Sequence, residues 1–478
     1  MTVPGVLNVL FKYVDENKSR YIENLREAVA IRSISSLEEW RDETIKMVNW
    51  TADRLRKLGF QVSLENIGMQ VLSNGTKLQL PPVLLATLGN DPKKKTVCIY
   101  GHLDVQQATI GDGWDTDPFE LVERNGKVYG RGSADDKGPV LSCLHAVEAF
   151  QKINADLPVN VKFIFEAMEE SGSIGLGELI AREKDRFFQN VDYICVCDGS
   201  SLGKDVPCIV YGLRGFCFFY LTVECASQDL HSGIHGGAVC EAMTDLVYLL
   251  DSLVDKDGKL LITDIYKDVI PLQPEEETIY AKIDFNVEDY SRTVNATKLL
   301  HNDKVKLLLN TWRYPSLSIH GIEGAHSESG EKSVIPAKVT GKFSIRLVEN
   351  QKVEDVQASV IKYLHKKLEE RGRATKIKVS IGGSGAAWKE NPNHPHYSAA
   401  MRAITSVYKI DADLIRAGGS MSVITTLQQI TGKNIINLAL SSGDDNTHSQ
   451  NEKMNIENYM NGTKVIAAYL YEVSQLNK

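Results

Sequence analysis

The sequence predicts an α/β protein: a domain on a mostly parallel sheet, interrupted by an inserted α+β domain. Three observations predict it. The first ~200 of 478 residues alternate apolar β-type runs with amphipathic helical segments, the pattern of a sheet wound with helices. From about Tyr211 to Gly385 that alternation gives way to long strand patterns and one long helix. The α/β pattern then resumes, and 478 residues exceed one ordinary domain. The expected boundaries are 1–210 with 386–478 for the discontinuous domain and 211–385 for the insert.

In the first domain Val83 to Ala86, Thr96 to Tyr100, Val161 to Phe165 and Tyr193 to Cys197 read as strands. Tyr21 to Ile31 and Ile45 to Leu58 carry amphipathic helical spacing. Pro139 opens a helix running past Val147, because a proline's missing N–H is harmless in a first turn. In the insert, Cys217 to Val223 and Gly341 to Leu347 read as strands. Glu354 to Glu370 reads as one helix, with Val356, Val360, Ile361, Leu364 and Leu368 on one side. A strand from Asn434 to Leu440 and a long helix from Asn451 close the chain.

Composition narrows the class. Hydrophobic residues at 43% and charged residues at 24% are ordinary for a soluble globular protein. No apolar run reaches the ~18 residues of a membrane span. Met1 to Leu7 lacks a basic stretch followed by a long apolar core, so no secretory signal is expected. A net charge of −8 argues against a nucleic-acid binder, which carries a basic face. The eight cysteines all lie between Cys98 and Cys240. Cys195 and Cys197 share a strand face, but no second thiol pair accompanies them at metal-site spacing. Buried, reduced thiols of a cytosolic protein are expected.

The chemistry-bearing residues cluster by position. His102 and Asp104, in Gly101-His102-Leu103-Asp104-Val105, follow the run Thr96 to Tyr100. A histidine there can bind a metal through one ring nitrogen while an acid fixes the tautomer at the other. Gly130 to Gly138 is a glycine-rich turn with adjacent Asp135 and Asp136 before a helix. Glu169 and Glu170 follow the strand Val161 to Phe165, with Ile164, Phe165 and Met168 as apolar neighbours. A buried carboxylate beside a metal ligand makes a general base. Asp198 ends the strand Tyr193 to Cys197, and His448 follows the strand Asn434 to Leu440. Each alone is an ordinary cap or loop residue. Together they gather at one edge of the sheet, where ligands bind in open α/β folds. One histidine, a shared aspartate and one further carboxylate per ion form a mixed nitrogen and oxygen shell, suited to zinc, manganese or cobalt. The pattern points to a two-metal hydrolase.

Several stretches resemble the family of di-metal peptidases that includes carnosinase, bacterial glutamate carboxypeptidase, aminoacylase and succinyl-diaminopimelate desuccinylase. They are Tyr100 to Gln106, Gly130 to Pro139, Met168 to Ser173, Tyr211 to Gly215, Asp229 to Gly233, Trp312 to Leu317 and His448 to Glu452. The resemblance runs over nearly the whole chain and is closest to the family's cytosolic dipeptidases. It implies that His102 and Asp198 hold one metal, that Glu170 and His448 hold the other, and that Asp135 bridges both. It implies Asp104 as the residue that orients His102, and Glu169 as the general base. It implies a homodimer built by the inserted domain, with His231 reaching the partner's active site. Arg346, Gly419 and Ser420 would grip the substrate's terminal carboxylate, and Ser333 matches a hydroxyl that contacts substrate in relatives. The implied enzyme is cytoplasmic, uses two divalent ions (Mn2+ or Zn2+), and cleaves dipeptides with a free C-terminal carboxylate. It has no nucleic-acid or membrane partner.

One loop departs from the pattern. The dipeptidase relatives read Arg-Glu-Gly-Gly-Ser-Ile-Pro where this chain has Arg416-Ala417-Gly418-Gly419-Ser420-Met421-Ser422. The acid missing at Ala417 bears on recognition of a free α-amino group. It keeps open an aminoacylase-like enzyme that cleaves N-acyl amino acids. A metal-free binding or scaffold protein on the same fold is the alternative from another class.

Overall fold

A computed structural model describes residues 4–72, 75–203 and 206–477. The chain forms two compact units. Unit 1 comprises Met1–Tyr211, Glu390–Ile415 and Val423–Lys478; unit 2 comprises Gly212–Lys389 and Arg416–Ser422.

The main sheet of unit 1 uses β1 (Gln61–Glu65), β2 (Val83–Leu88), β3 (Thr96–His102), β4 (Asn160–Glu166), β5 (Tyr193–Val196), β6 (Cys208–Leu213) and β7 (Asn434–Ala439). Their order is β1–β2–β4–β3–β5–β7–β6. The four central strands are parallel: β3 pairs with β4 and β5, and β5 with β7. The flanks are antiparallel, which refines the expected topology. The reason is burial. Every residue of β3 is buried, and such continuous apolar runs are what a sheet covered on both faces requires. β1, by contrast, is Gln-Val-Ser-Leu-Glu and lies half in water.

The helix Lys137–Lys152 is buried along nearly its whole length. It packs against Ile456–Ser474, which also contacts Gly5–Glu16 and Pro395–Tyr408. Two boundaries move from expectation. The Pro139 helix starts two residues earlier, at Lys137. The last helix starts at Ile456 rather than Asn451, because Lys453–Asn455 first pair as a strand with Lys127–Tyr129. All eight cysteines are free, and Cys197 Sγ lies 3.5 Å from Cys143 Sγ and 3.8 Å from Cys195 Sγ. Among the described residues no helix is long and apolar enough to cross a membrane.

Unit 2 is an antiparallel sheet ordered Ser316–Glu323, Lys338–Leu347, Gly215–Glu224, Lys376–Gly385. Alternate residues Cys217, Phe219, Leu221 and Val223 are buried with Phe343, Ile345 and Leu347. The helices Ala242–Asp251 and Val353–Arg371 supply the other side of this core, with Leu246, Leu249, Val360 and Leu364 fully buried. This is the period-two pattern of a sheet with one covered face.

Candidate metal centre and anion-binding residues

The parallel strands of unit 1 end on one edge, and their loops carry the acids and histidines. His102 is the last residue of β3. Its Nδ1 lies 3.1 Å from the backbone carbonyl of Asp104 and 3.5 Å from Asp104 Oδ1. These acceptors hold the proton on Nδ1, so Nε2 is the nitrogen that would turn a lone pair to a metal ion once its own proton is displaced. Nε2 faces Asp135 Oδ1 at 3.0 Å and Asp198 Oδ2 at 3.7 Å. Asp135 presents its other oxygen, Oδ2, to His448 Nε2 at 2.9 Å, and His448 Nε2 lies 3.1 Å from Glu170 Oε2. Two donor groups result: His102, Asp135 and Asp198, and Asp135, Glu170 and His448, each with ligand atoms within 4.8 Å of one another. Asp135 belongs to both.

The supporting contacts come from residues that bind nothing themselves. The buried Asp104 carboxylate accepts the backbone N–H of Glu169 on Oδ1 and that of Glu170 on Oδ2, both at 3.1 Å. Gln106 Nε2 donates to Glu170 Oε2 at 2.8 Å. Asp136 Oδ2 accepts the His102 backbone N–H at 3.0 Å. The loop before Asp135 is folded around Glu452, which is fully buried. Its carboxylate accepts the backbone N–H groups of Ala134 at 2.9 Å and of Gly132 and Asp135 at 3.1 Å, and Arg131 Nη1 at 2.7 Å. Gly132 has φ +85, open to glycine without strain. At Gly138 an added Cβ would meet the Ser133 carbonyl oxygen at 2.1 Å, so helix and loop can approach only without a side chain there. The buried Lys137 Nζ donates to the Ala28 and Ile31 carbonyls at 2.9 and 2.7 Å.

These acids face one another in a water-poor setting. Burial and the neighbouring Asp135 push Asp198 well above the usual carboxylate range. Burial pushes Glu169 up to about 7. Against the raising effect of desolvation, Asp135 is held below the ordinary range by His102 and His448. The hydrogen bonds that His448 donates to Asp135 and Glu170 push it up to about 10. The centre thus holds more acid than its two imidazoles balance. Such a donor set, with nitrogen and oxygen on each side of a shared aspartate, fits a pair of divalent cations. Their binding would displace protons from both imidazoles.

The remaining predicted residues lie in unit 2, in two groups. Arg346 Nη1 donates to Ser420 Oγ at 2.8 Å, beside Gly419. His231 and Ser333 meet in a short ladder, Leu230–His231 against Val334–Ile335. There the Ser232 N–H donates to the Ser333 carbonyl at 3.1 Å, and the exposed His231 accepts from the Gly233 N–H at 3.0 Å through Nδ1.

Sequence reasoning gave no role to Glu452, Gln106, Asp136 or the ion network around Arg416. Arg416 is 3% exposed and pairs with Glu276 at 2.6 Å and Glu349 at 2.8 Å; Arg313, 1% exposed, pairs with Glu276 at 3.2 Å. The one available signal was that Glu452, Gln106 and Asp136 sit inside the family-like stretches.

The model of peptidase family M20/M25/M40 matches residues 98–472. The chain belongs to that family. This M20 peptidase is 46% identical over 475 residues to a rat (Rattus norvegicus) Beta-Ala-His dipeptidase, covering 99% of the chain and 96% of that protein. It is 42% identical to the Cys-Gly metallodipeptidase dug1 of Schizosaccharomyces pombe, covering 98% of the chain and 99% of that protein. Its fold matches the crystal structure of human carnosine dipeptidase 1 with a TM-score of 0.89 at 45% identity, covering 99% of the chain and all of the solved one. This M20 peptidase is a metal-dependent hydrolase, and the scaffold alternative has no support among these full-length relatives.

Proposed function

We propose that this M20 peptidase is a two-metal dipeptidase acting on dipeptides with a free C-terminal carboxylate. The observation that carries the reading is Asp135, shared by two histidine–carboxylate groups, with the half-buried Glu169 in a turn beside them. His102 and Asp198 would hold one ion and Glu170 and His448 the other, with Asp135 contributing to both. When bound, the two ions supply Lewis-acid polarisation and a water of lowered pKa. Glu169 removes the proton of the attacking water. As the carbon–nitrogen bond breaks, Glu169 returns that proton to the leaving amine. Burial raises the proton affinity of the Glu169 carboxyl, which suits it to this role. Asp104 orients both His102 and the Glu169–Glu170 turn. Arg346, with Gly419 and Ser420, holds the substrate's carboxylate in the fork that guanidinium and carboxylate share. His231, given by the partner subunit of a homodimer, stabilises the developing oxyanion, with Ser333 beside it.

The donor chemistry supports Mn2+ or Zn2+. Eight free cysteines support a reducing, cytoplasmic location. The second reading, hydrolysis of N-acyl amino acids, is favoured by one observation: Ala417 stands where dipeptidase relatives carry an acid. Purified enzyme loaded with Mn2+ or Zn2+ decides between them. A dipeptide, its N-acetyl analogue and its C-terminal amide are compared by kcat/KM. The dipeptidase reading expects the unmodified dipeptide to lead, and a faster N-acetyl analogue transfers the enzyme to the second reading. In a metal-loaded crystal, Asp135 should touch both ions, roughly 3.5–4 Å apart. Contact with only one ion would remove the bridge.

A further inference from the structure

Among the described residues, neither Arg214 nor Arg346 forms an ion pair with an acid, and each lies close enough to the other to feel its charge. Arg346 donates to Ser420 Oγ at 2.8 Å, and Ser420 Oγ donates onward to the Arg214 carbonyl at 2.5 Å. The Arg214 N–H donates to the Gly419 carbonyl at 3.1 Å, and its Nε to the Gly418 carbonyl at 3.2 Å. Its Nη1 donates to Ser316 Oγ at 2.7 Å. A single residue therefore braces Gly418, Gly419 and Ser420 in succession. Gly418 accommodates the brace, since a Cβ there would come within 3.1 Å of both Arg214 Nη2 and the Thr311 carbonyl oxygen.

The charges are as informative as the bonds. Burial lowers the pKa of both guanidiniums, and for Arg214, pushed down to about 10, the charged group that adds to this is Arg346. The nearest acid in sequence, Glu349, is engaged elsewhere, with Arg416 at 2.8 Å and Lys389 at 3.5 Å. Two half-buried like charges repel and have lost part of their hydration, an arrangement that an incoming anion relieves.

We infer that Arg214 is a positioning and specificity-determining residue for the substrate's carboxylate. It fixes the Gly418–Ser420 loop on which Arg346 rests, and its charge adds to that of Arg346 at the substrate's anionic end. This rests on the dipeptidase reading of Arg346. The dipeptidase relatives' acid, absent at Ala417, concerns the opposite end of the substrate, so the device operates whichever amino-terminal group is accepted.

The test compares kcat/KM for an unblocked dipeptide and its C-terminal amide in parent, R214Q and R214K enzymes loaded with Mn2+. The parent should prefer the free acid. R214Q should reduce the acid-to-amide ratio by about tenfold, mainly through KM for the acid, because a neutral side chain no longer attracts the carboxylate. R214K keeps the charge and loses the fork, so its ratio should lie between the two. If R214Q does not fold, as judged by thermal melting, R214K decides, and a ratio equal to the parent's overturns the inference. A parental ratio in a folded R214Q overturns it as well, and so does an equal loss on both substrates. A parent enzyme that does not distinguish acid from amide overturns the reading of Arg346 and this inference with it.

Discussion

The fully buried carboxylate of Glu452 accepts the backbone N–H of Asp135 at 3.1 Å. The same carboxylate holds Gly132, Ala134 and Arg131, so the position of the aspartate common to both donor groups is set from position 452, far along the chain. Glu452→Gln keeps the shape, removes the charge opposite Arg131, and gives one acceptor oxygen in place of two. Breaking a buried pair on one side destabilises by about 3–5 kcal/mol, and loss of an orienting contact weakens metal binding ~10–100-fold. Thermal melts and metal titrations of the variant should show both. Unaltered metal affinity would mean that the loop keeps its shape without this anchor.

Glu169 and Glu170 are neighbours with separate expected effects. Glu169→Gln should fold and keep its metals but lose turnover by ~10²–10⁴-fold, since an amide cannot take a proton from water. Glu170→Gln should chiefly lower metal occupancy, because Glu170 belongs to a donor group with Asp135 and His448. Metal content and kcat measured on the same samples separate the two. A Glu169→Gln enzyme with near-parental kcat would require another base.

His231 is exposed, in a ladder with the segment carrying Ser333, as a residue offered to a second subunit would be. Mixing inactive His231→Ala and inactive Glu169→Gln subunits should restore part of the activity. One heterodimer site then carries both defects and the other carries neither. Verified heterodimers without rescue would confine His231 to its own subunit or to no catalytic role.

Acid should act through His396 as well as through the carboxylates. His396 is buried, bonded to Asn434 Oδ1 at 2.7 Å and Tyr469 Oη at 2.5 Å, and burial pushes it down to about 3. The folded pKa lies below the unfolded value of ~6.5, so the unfolded chain binds more protons. The contribution is therefore complete above about pH 6.5 and is lost as pH falls towards 3. Between pH 6.5 and pH 5 the loss should be about 2 kcal/mol. His396→Asn, which does not titrate, should start from lower stability and show a shallower acid limb in denaturant melts. An equally steep limb would assign the acid loss to other groups.

The central strands could be read directly, because β3, β4, β5 and β7 are buried runs whose composition leaves no other placement. The acids and histidines at their ends were legible for the same reason, since strand ends fix which edge a residue occupies. The flank strand β1 was not legible, because Gln61, Ser63 and Glu65 give no apolar period. Glu452 was hidden differently: apart from Arg131 its partners are backbone N–H groups, Ala134 being 318 positions away, and backbone leaves no side-chain pattern to read. The Arg416 network draws its acids from the Pro274–Lys282 helix and the turn after Leu347, a meeting that only the folded chain creates.

Asp104 joins two functions in one carboxylate. It stands 3.5 Å from His102 Nδ1 and receives the amides of both Glu169 and Glu170. Mutational losses here will not combine independently. Once Asp104 is replaced, the histidine is released and the glutamate turn loses its anchor, so a second replacement at Glu169 has less left to remove. Epistasis of this kind binds His102, Asp104, Glu169 and Glu170 into one heritable block. These four are expected to persist or be lost together.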